Sequence, residues 1–405
     1  MYCQNCGAKL QEGQRFCHNC GEPVGSFAGG SAHSSSSSAQ SGPAQSSSFS
    51  NNGQSGQPRS FMDSLNEYVG GKSGSHVELN WKDLFRDVFK PHKAEEAEEI
   101  FVCGTPKTTP QLKDVSTQWP RPWLYSRVLL CFVVAFIILR ISVEALPQGH
   151  GMNALPGMIL MGSFAVPLSM LVMFMELNVY KNVSFYYVIT TFLIGGCGSL
   201  LVSLLLSEQL VGEGNMTYGM ALCISISEEV GKGLIVYYFL RRLTKTNSVL
   251  VGLLIGAGVG AGFAALESLG YAFMKSGGNY QAVLTIIEIR GLLAPGGHVA
   301  WAAITGAALC LANPSGERLT SAVFSQKKFW KLFLIPVACH FIWDSPFMDT
   351  SETSAIMKCV VLIIAIWVFV LLLINLGLGE ASAKAAAQSD SPQTEAQGTT
   401  SAPQN

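Results

Sequence analysis

Residues 216–240 read MTYGMALCISISEEVGKGLIVYYFL. A helix of that length crosses a bilayer, which needs about 20 mostly apolar residues. Yet its middle holds Glu228, Glu229 and Lys232. Charge is costly in hydrocarbon and is usually kept where it faces a bundle interior or a watery cavity. Helical spacing places Lys232 four residues from Glu228 and three from Glu229, within reach of both. A membrane helix with such a polar face needs further helices around it, and this decides the fold class.

Three later stretches match it. Phe263-Ala264-Ala265-Leu266-Glu267 places a ring one helical turn before a carboxylate, Gly297-His298 opens another apolar run, and His340-Phe341-Ile342-Trp343-Asp344 sets an imidazole and a carboxylate four apart. That last spacing lets the carboxylate orient the ring. Glu228, Glu229, Glu267, His298, His340 and Asp344 therefore lie on four apolar segments and can converge in a bundle core. Apolar stretches run at about 124–146, 154–177, 184–207, 216–240, 249–274, 297–313, 329–349 and 354–378. The expected fold is an all-α polytopic membrane helix bundle with about eight transmembrane helices. The sixth stretch is short, and residues 284–296 before it, with Glu288 and Arg290, read as a half-helix or re-entrant segment. Gly252, Gly256, Gly258, Gly260 and Gly262 predict close helix packing.

Composition agrees. The 405 residues are 49% hydrophobic and 13% charged, where soluble domains carry about 25% charged residues. A formal net charge of −1 predicts no nucleic-acid partner.

The motif series Glu228-Glu229-x-x-Lys232, Phe263-x-x-x-Glu267, His298 and His340-x-x-x-Asp344, in this order on successive spans, resembles the PrsW family of intramembrane proteases, distant relatives of the CAAX prenyl proteases. The run from Ile289 to His298 is similar to that family's approach to its single histidine, and the resemblance covers roughly residues 120–350. It implies peptide hydrolysis in the membrane, on a membrane-protein substrate such as an anti-sigma factor, or on a peptide. It further implies Glu228 or Glu229 as general base, His298 and His340 as oxyanion or leaving-group donors, Asp344 as orienter of His340, and Glu267 as holder of a water or metal. Lys232 reads as compensation for buried charge. Whether the site holds zinc stays open. A His/His/Glu set suits a metal, whereas the missing HExxH pairing and the adjacent Lys232 favour a glutamate-driven chemistry.

The amino terminus is a separate unit. Cys3-x-x-Cys6-Gly7 and Cys17-x-x-Cys20-Gly21 are paired knuckles whose four thiolates suit a closed, structural zinc site, so residues 1–25 read as a zinc ribbon stabilised by its metal. Residues 26–60, rich in Ser, Gly and Gln, read as a disordered linker. The ribbon is expected to bind a protein partner. Residues 61–120 read as a cytoplasmic juxtamembrane region with an amphipathic helix at 77–90. That helix could lie on the membrane surface or dock onto the bundle, and its mixed charge favours docking. An interfacial aromatic anchor follows at Trp119 and Trp123. Residues 121–379 form the multi-span domain, and 380–405 read as a disordered tail.

Basic residues at Lys181, Arg241, Arg242, Lys245, Arg318, Lys327, Lys328 and Lys331 fall in alternate loops. They predict a multi-pass protein of the cell membrane with both termini cytoplasmic and the polar site opening to the other side. Two other classes compete. A proton-coupled transporter would also bury Glu, His and Lys beside a broken helix, but no internal repeat is found. An inert scaffold for the ribbon leaves the buried charges unexplained.

Overall fold

In lipid a backbone must satisfy its own hydrogen bonds, so apolar segments of this length fold as helices. The computed structural model describes residues 61–70, 81–116, 118–207, 215–243, 248–313 and 318–389. The four ribbon cysteines, the linker at 26–60 and the end of the tail lie outside them. Among the described residues nine helices build the bundle: α1 Leu124–Ala145, α2 Leu155–Leu177, α3 Phe185–Ser207, α4 Tyr218–Arg242, α5 Val249–Met274, α6 Tyr280–Leu293, α7 His298–Leu311, α8 Lys327–Asp344 and α9 Glu352–Ser389. Side chains mark several starts. Thr217, Ser248 and Asn279 each accept a backbone N–H from the first turn of α4, α5 and α6.

Among the described residues six segments are long and apolar enough to cross a membrane: α1, His150–Leu177, α3, α5, Tyr280–Leu311 and most of α9. The two expected spans that fall short, α4 and α8, carry four of the six candidate site residues. Their ionisable side chains lower the hydropathy that a span normally shows.

The centre is α5. Of its most apolar stretch 94% is buried, against none of α1, which faces outward. Its glycines explain this. A Cβ at Gly252, Gly256 or Gly260 would strike the backbone of α7 at Gly306, Ala302 or His298. A Cβ at Gly258 or Gly262 would strike Thr191 or Phe192. Those two residues begin a π-helical turn, Thr191–Gly195, where α3 bulges against α5. Close approach on both faces draws the ends of α5 and α7 together, and Glu267 and His298 sit there. Gly256→Ala should therefore destabilise the bundle by about 1–3 kcal/mol through overpacking. Thermal unfolding in lipid nanodiscs reads this, and Gly291→Ala is the control, because a Cβ there meets nothing within 4 Å.

The break before His298 is built by sequence. Ala294–Gly296 makes a single 3₁₀ turn between α6 and α7, and Pro295 has no N–H to continue the helix. The Pro295 carbonyl accepts the Trp367 indole N–H at 2.9 Å, which ties the break to α9. α6 and α7 follow one another as a single interrupted apolar segment, Tyr280–Leu311, with α6 as its first half.

Three other expectations change. The segment expected as a helix over 77–90 is helical only at Asp83–Arg86 within the described residues, with turns on to Phe89. Asp83 is buried beside Arg86 and Arg121, and Leu84 packs into the core, so this segment docks by a short plug. Trp119 is buried in the core instead of sitting at an interface, and Trp123 stacks on His92 at 3.8 Å. The tail expected to be disordered from 380 stays helical to Ser389. Alanines there favour helix, Glu380 pairs with Lys384, and the Glu380 carboxylate accepts the Val249 N–H at the start of α5.

Candidate active site

Four helices bring the six candidate residues together. Glu228 and Glu229 come from the middle of α4, Glu267 from α5, His298 from the first turn of α7, and His340 with Asp344 from the last turns of α8. His298 Nε2 lies 2.9 Å from Glu267 Oε2. His340 Nδ1 lies 2.8 Å from Glu229 Oε1, and its Nε2 lies 3.1 Å from Asp344 Oδ2. The two imidazole centroids are 5.3 Å apart, and the Trp301 ring stacks on His340 at 4.5 Å.

The two adjacent glutamates have different surroundings. Glu229 is fully buried between Lys232 Nζ, at 2.6 Å, and His340. Glu228 lines a cavity of about 250 Å³ with Glu267, His298, His340 and Asp344, walled by Tyr271, Trp301 and Trp343. Glu229 and Lys232 do not reach that cavity. One helical position, about 100° of rotation, separates the carboxylate at the cavity from the one behind it. Asp344 lies against His340, as its spacing leads one to expect. It meets His340 on Nε2, and the carboxylate on the other nitrogen is Glu229.

Glu228 and Glu229 each bury one carboxylate oxygen without a hydrogen-bond partner, and Glu228 is the one that lines the cavity. Its unpartnered oxygen is Oε2. Around it stand Lys232 Nζ at 3.7 Å, His340 Nε2 at 3.7 Å and His298 Nδ1 at 3.8 Å. Glu228, His298 and His340 each offer a ligand atom within 4.8 Å of the others. Zinc takes N and O donors at about 2.0–2.2 Å, so a small inward movement would complete this set. The far nitrogen of each imidazole meets a carboxylate, the usual support of a metal-ligating histidine. The donors fit a metal. Two contacts compete for these donors: Lys232 Nζ lies 2.8 Å from His298 Nδ1, and Asp344 Oδ2 lies 3.1 Å from His340 Nε2.

Arg290, on α6, was not among the candidate residues. Its guanidinium pairs with Glu267, donates from Nε to Ser268 Oγ at 2.9 Å, and lies 4.4 Å over the Tyr271 ring. A signal was present in the sequence, since an arginine inside an apolar segment is as costly as the glutamates. Trp301 was also missed, although it stands one helical turn after His298.

Two family models match the chain. Residues 184–374 match the family described as PrsW family intramembrane metalloprotease, and residues 2–24 match a zinc-ribbon domain. Over residues 184–374 the chain is similar to the PrsW family. This makes the chain an intramembrane protease and a multi-pass membrane protein. The PrsW match begins at α3, so α1 and α2 precede it. No curated protein and no solved structure matches the chain.

Proposed function

We propose that the cavity hydrolyses peptide bonds of membrane-protein or peptide substrates, with Glu228, His298 and His340 as ligands of a catalytic zinc. The observation that carries this reading is the buried Glu228 oxygen, which has no hydrogen bond and faces two imidazole nitrogens. Bound zinc would polarise the scissile carbonyl and acidify a water. The protein's own groups do the rest. Asp344 lines the cavity and meets His340 but has no lysine or arginine beside it among the described residues, whereas Glu267 is paired with Arg290 as well as His298. Asp344 accepts the proton of the attacking water and returns it to the leaving amine. Glu229 holds His340 through Nδ1, Glu267 holds His298 through Nε2, and Lys232 offsets the charge behind them. Tyr271, Trp301 and Trp343 keep bulk water from the reacting groups.

The cavity is reached from the Met216 end of α4, opposite the Arg241–Arg242 end. Basic loops remain cytoplasmic, so this reading keeps both termini in the cytoplasm and opens the cavity to the other side.

One observation favours a metal-free alternative, with Glu228 as base, and that is the Lys232 contact to His298 Nδ1. The deciding experiment uses the full chain in nanodiscs with a library of quenched fluorescent peptides. A Cys3→Ser/Cys6→Ser background keeps the ribbon's metal out of the measurement. Cleavage should stop with a zinc chelator and return with zinc. Asp344→Asn should lower the rate by about 10²–10⁴-fold with zinc content unchanged. Cleavage that is indifferent to chelation would establish the metal-free mechanism instead.

A further inference from the structure

The zinc set leaves Arg290 without a task, although it is the one cation among the described residues lining the cavity. Its guanidinium is held from three sides by Glu267, Ser268 and Tyr271, all within two turns of α5. The Glu267 oxygen that takes the guanidinium, Oε2, is also the one 2.9 Å from His298 Nε2. On the other side of the ring an ammonium, Lys232 Nζ, faces Nδ1. An ammonium can only donate, so Nδ1 accepts and the ring proton belongs on Nε2. That tautomer puts a lone pair on Nδ1, facing Glu228, which a metal would take in place of the Lys232 contact.

We infer that Arg290 is a positioning residue. It aims the Glu267 carboxylate at His298 Nε2, and so presents His298 Nδ1 to the metal. The inference rests on the zinc reading for its consequence, but not for its geometry. Arg290 is not needed simply to dock α6. Val283, Leu284 and Ile287 pack against Met158, Ile159 and Ala272, and Glu288 pairs with Arg140 of α1 at 2.9 Å. A planar fork suits the task, because it serves Glu267 and Ser268 at once while stacking on an aromatic ring.

The test uses the purified full chain, with ¹⁵N-labelled histidine and zinc alone as the metal probe. The His298 signals are identified by their loss in His298→Gln. The wild type should show the proton on Nε2, and Arg290→Gln should show a mixture of tautomers. Zinc affinity of the membrane site, by chelator competition, should fall about 10–100-fold in Arg290→Gln and in Glu267→Gln, as expected when a ligand loses its support. The double variant should bind no more weakly than Glu267→Gln alone. Glu288→Gln, which frees α6 from α1, should change neither readout. If Arg290→Gln does not fold, Ser268→Ala removes one hold on the guanidinium and should give a smaller shift of the same kind. Unchanged His298 signals, or losses of affinity that multiply in the double variant, would overturn the inference. If the wild type binds only the ribbon's zinc, the metal reading fails, and the His298 signals still decide the role of Arg290.

Discussion

Glu228→Gln should abolish peptide cleavage and lower the zinc content from two ions per chain to one, with the fold intact. The substitution keeps the shape of the side chain and removes its charge. Stability should survive because Glu228 Oε2 makes no hydrogen bond that an amide could lose. Activity should not survive. As a zinc ligand Glu228 fixes the metal at the cavity, and as a general base it would carry the proton transfer, so either role predicts a loss of at least about 10²–10⁴-fold. Metal content separates the roles. A lost ion marks a ligand, whereas two retained ions with no activity would mark a base. Glu229→Gln should behave differently, since it leaves the cavity wall in place and alters the support of His340 and the pairing of Lys232 behind it. Full activity in Glu228→Gln would remove the cavity from the reaction altogether.

Much of this site was legible in the sequence because charge is rare in apolar segments. Glu228, Glu267, His298 and His340 could be assigned to a common centre from helical spacing and hydropathy, and the structure places them within ion-pair distances. The glycines of α5 were legible for a related reason, since only close helix approach requires so many small residues together. What stayed hidden depends on rotation and tertiary partners. Glu228 and Glu229 are neighbours in sequence, and their roles follow from which face of α4 the helices α7 and α8 cover. Arg290 was passed over because it sits in the half-helix before His298, which carries no span pattern of its own. The helix at 380–389 was hidden by composition, because an Ala-, Ser- and Gln-rich run suits disorder as well as helix until Glu380 finds the start of α5.

Lys232→Met should destabilise the protein by about 3–5 kcal/mol, the cost of leaving one partner of a buried ion pair alone. The ammonium is fully buried, 2.6 Å from Glu229 and 2.8 Å from His298, and lies 4.5 Å over the Phe263 ring. Methionine fills nearly the same volume, so packing changes little, and the lost stability reports charge. The double variant Lys232→Met/Glu229→Gln should recover most of it. Glutamine can still accept from His340 Nδ1, and the uncompensated carboxylate is gone. Unfolding midpoints of the wild type, both single variants and the double variant complete the cycle. If Lys232→Met costs less than about 1 kcal/mol, the Glu229 charge is not held by Lys232, and the ammonium must act on the reaction side. In that case its contact with His298 Nδ1 belongs to a metal-free mechanism, and zinc should bind the variant more tightly than the wild type, because its competitor for that lone pair has been removed.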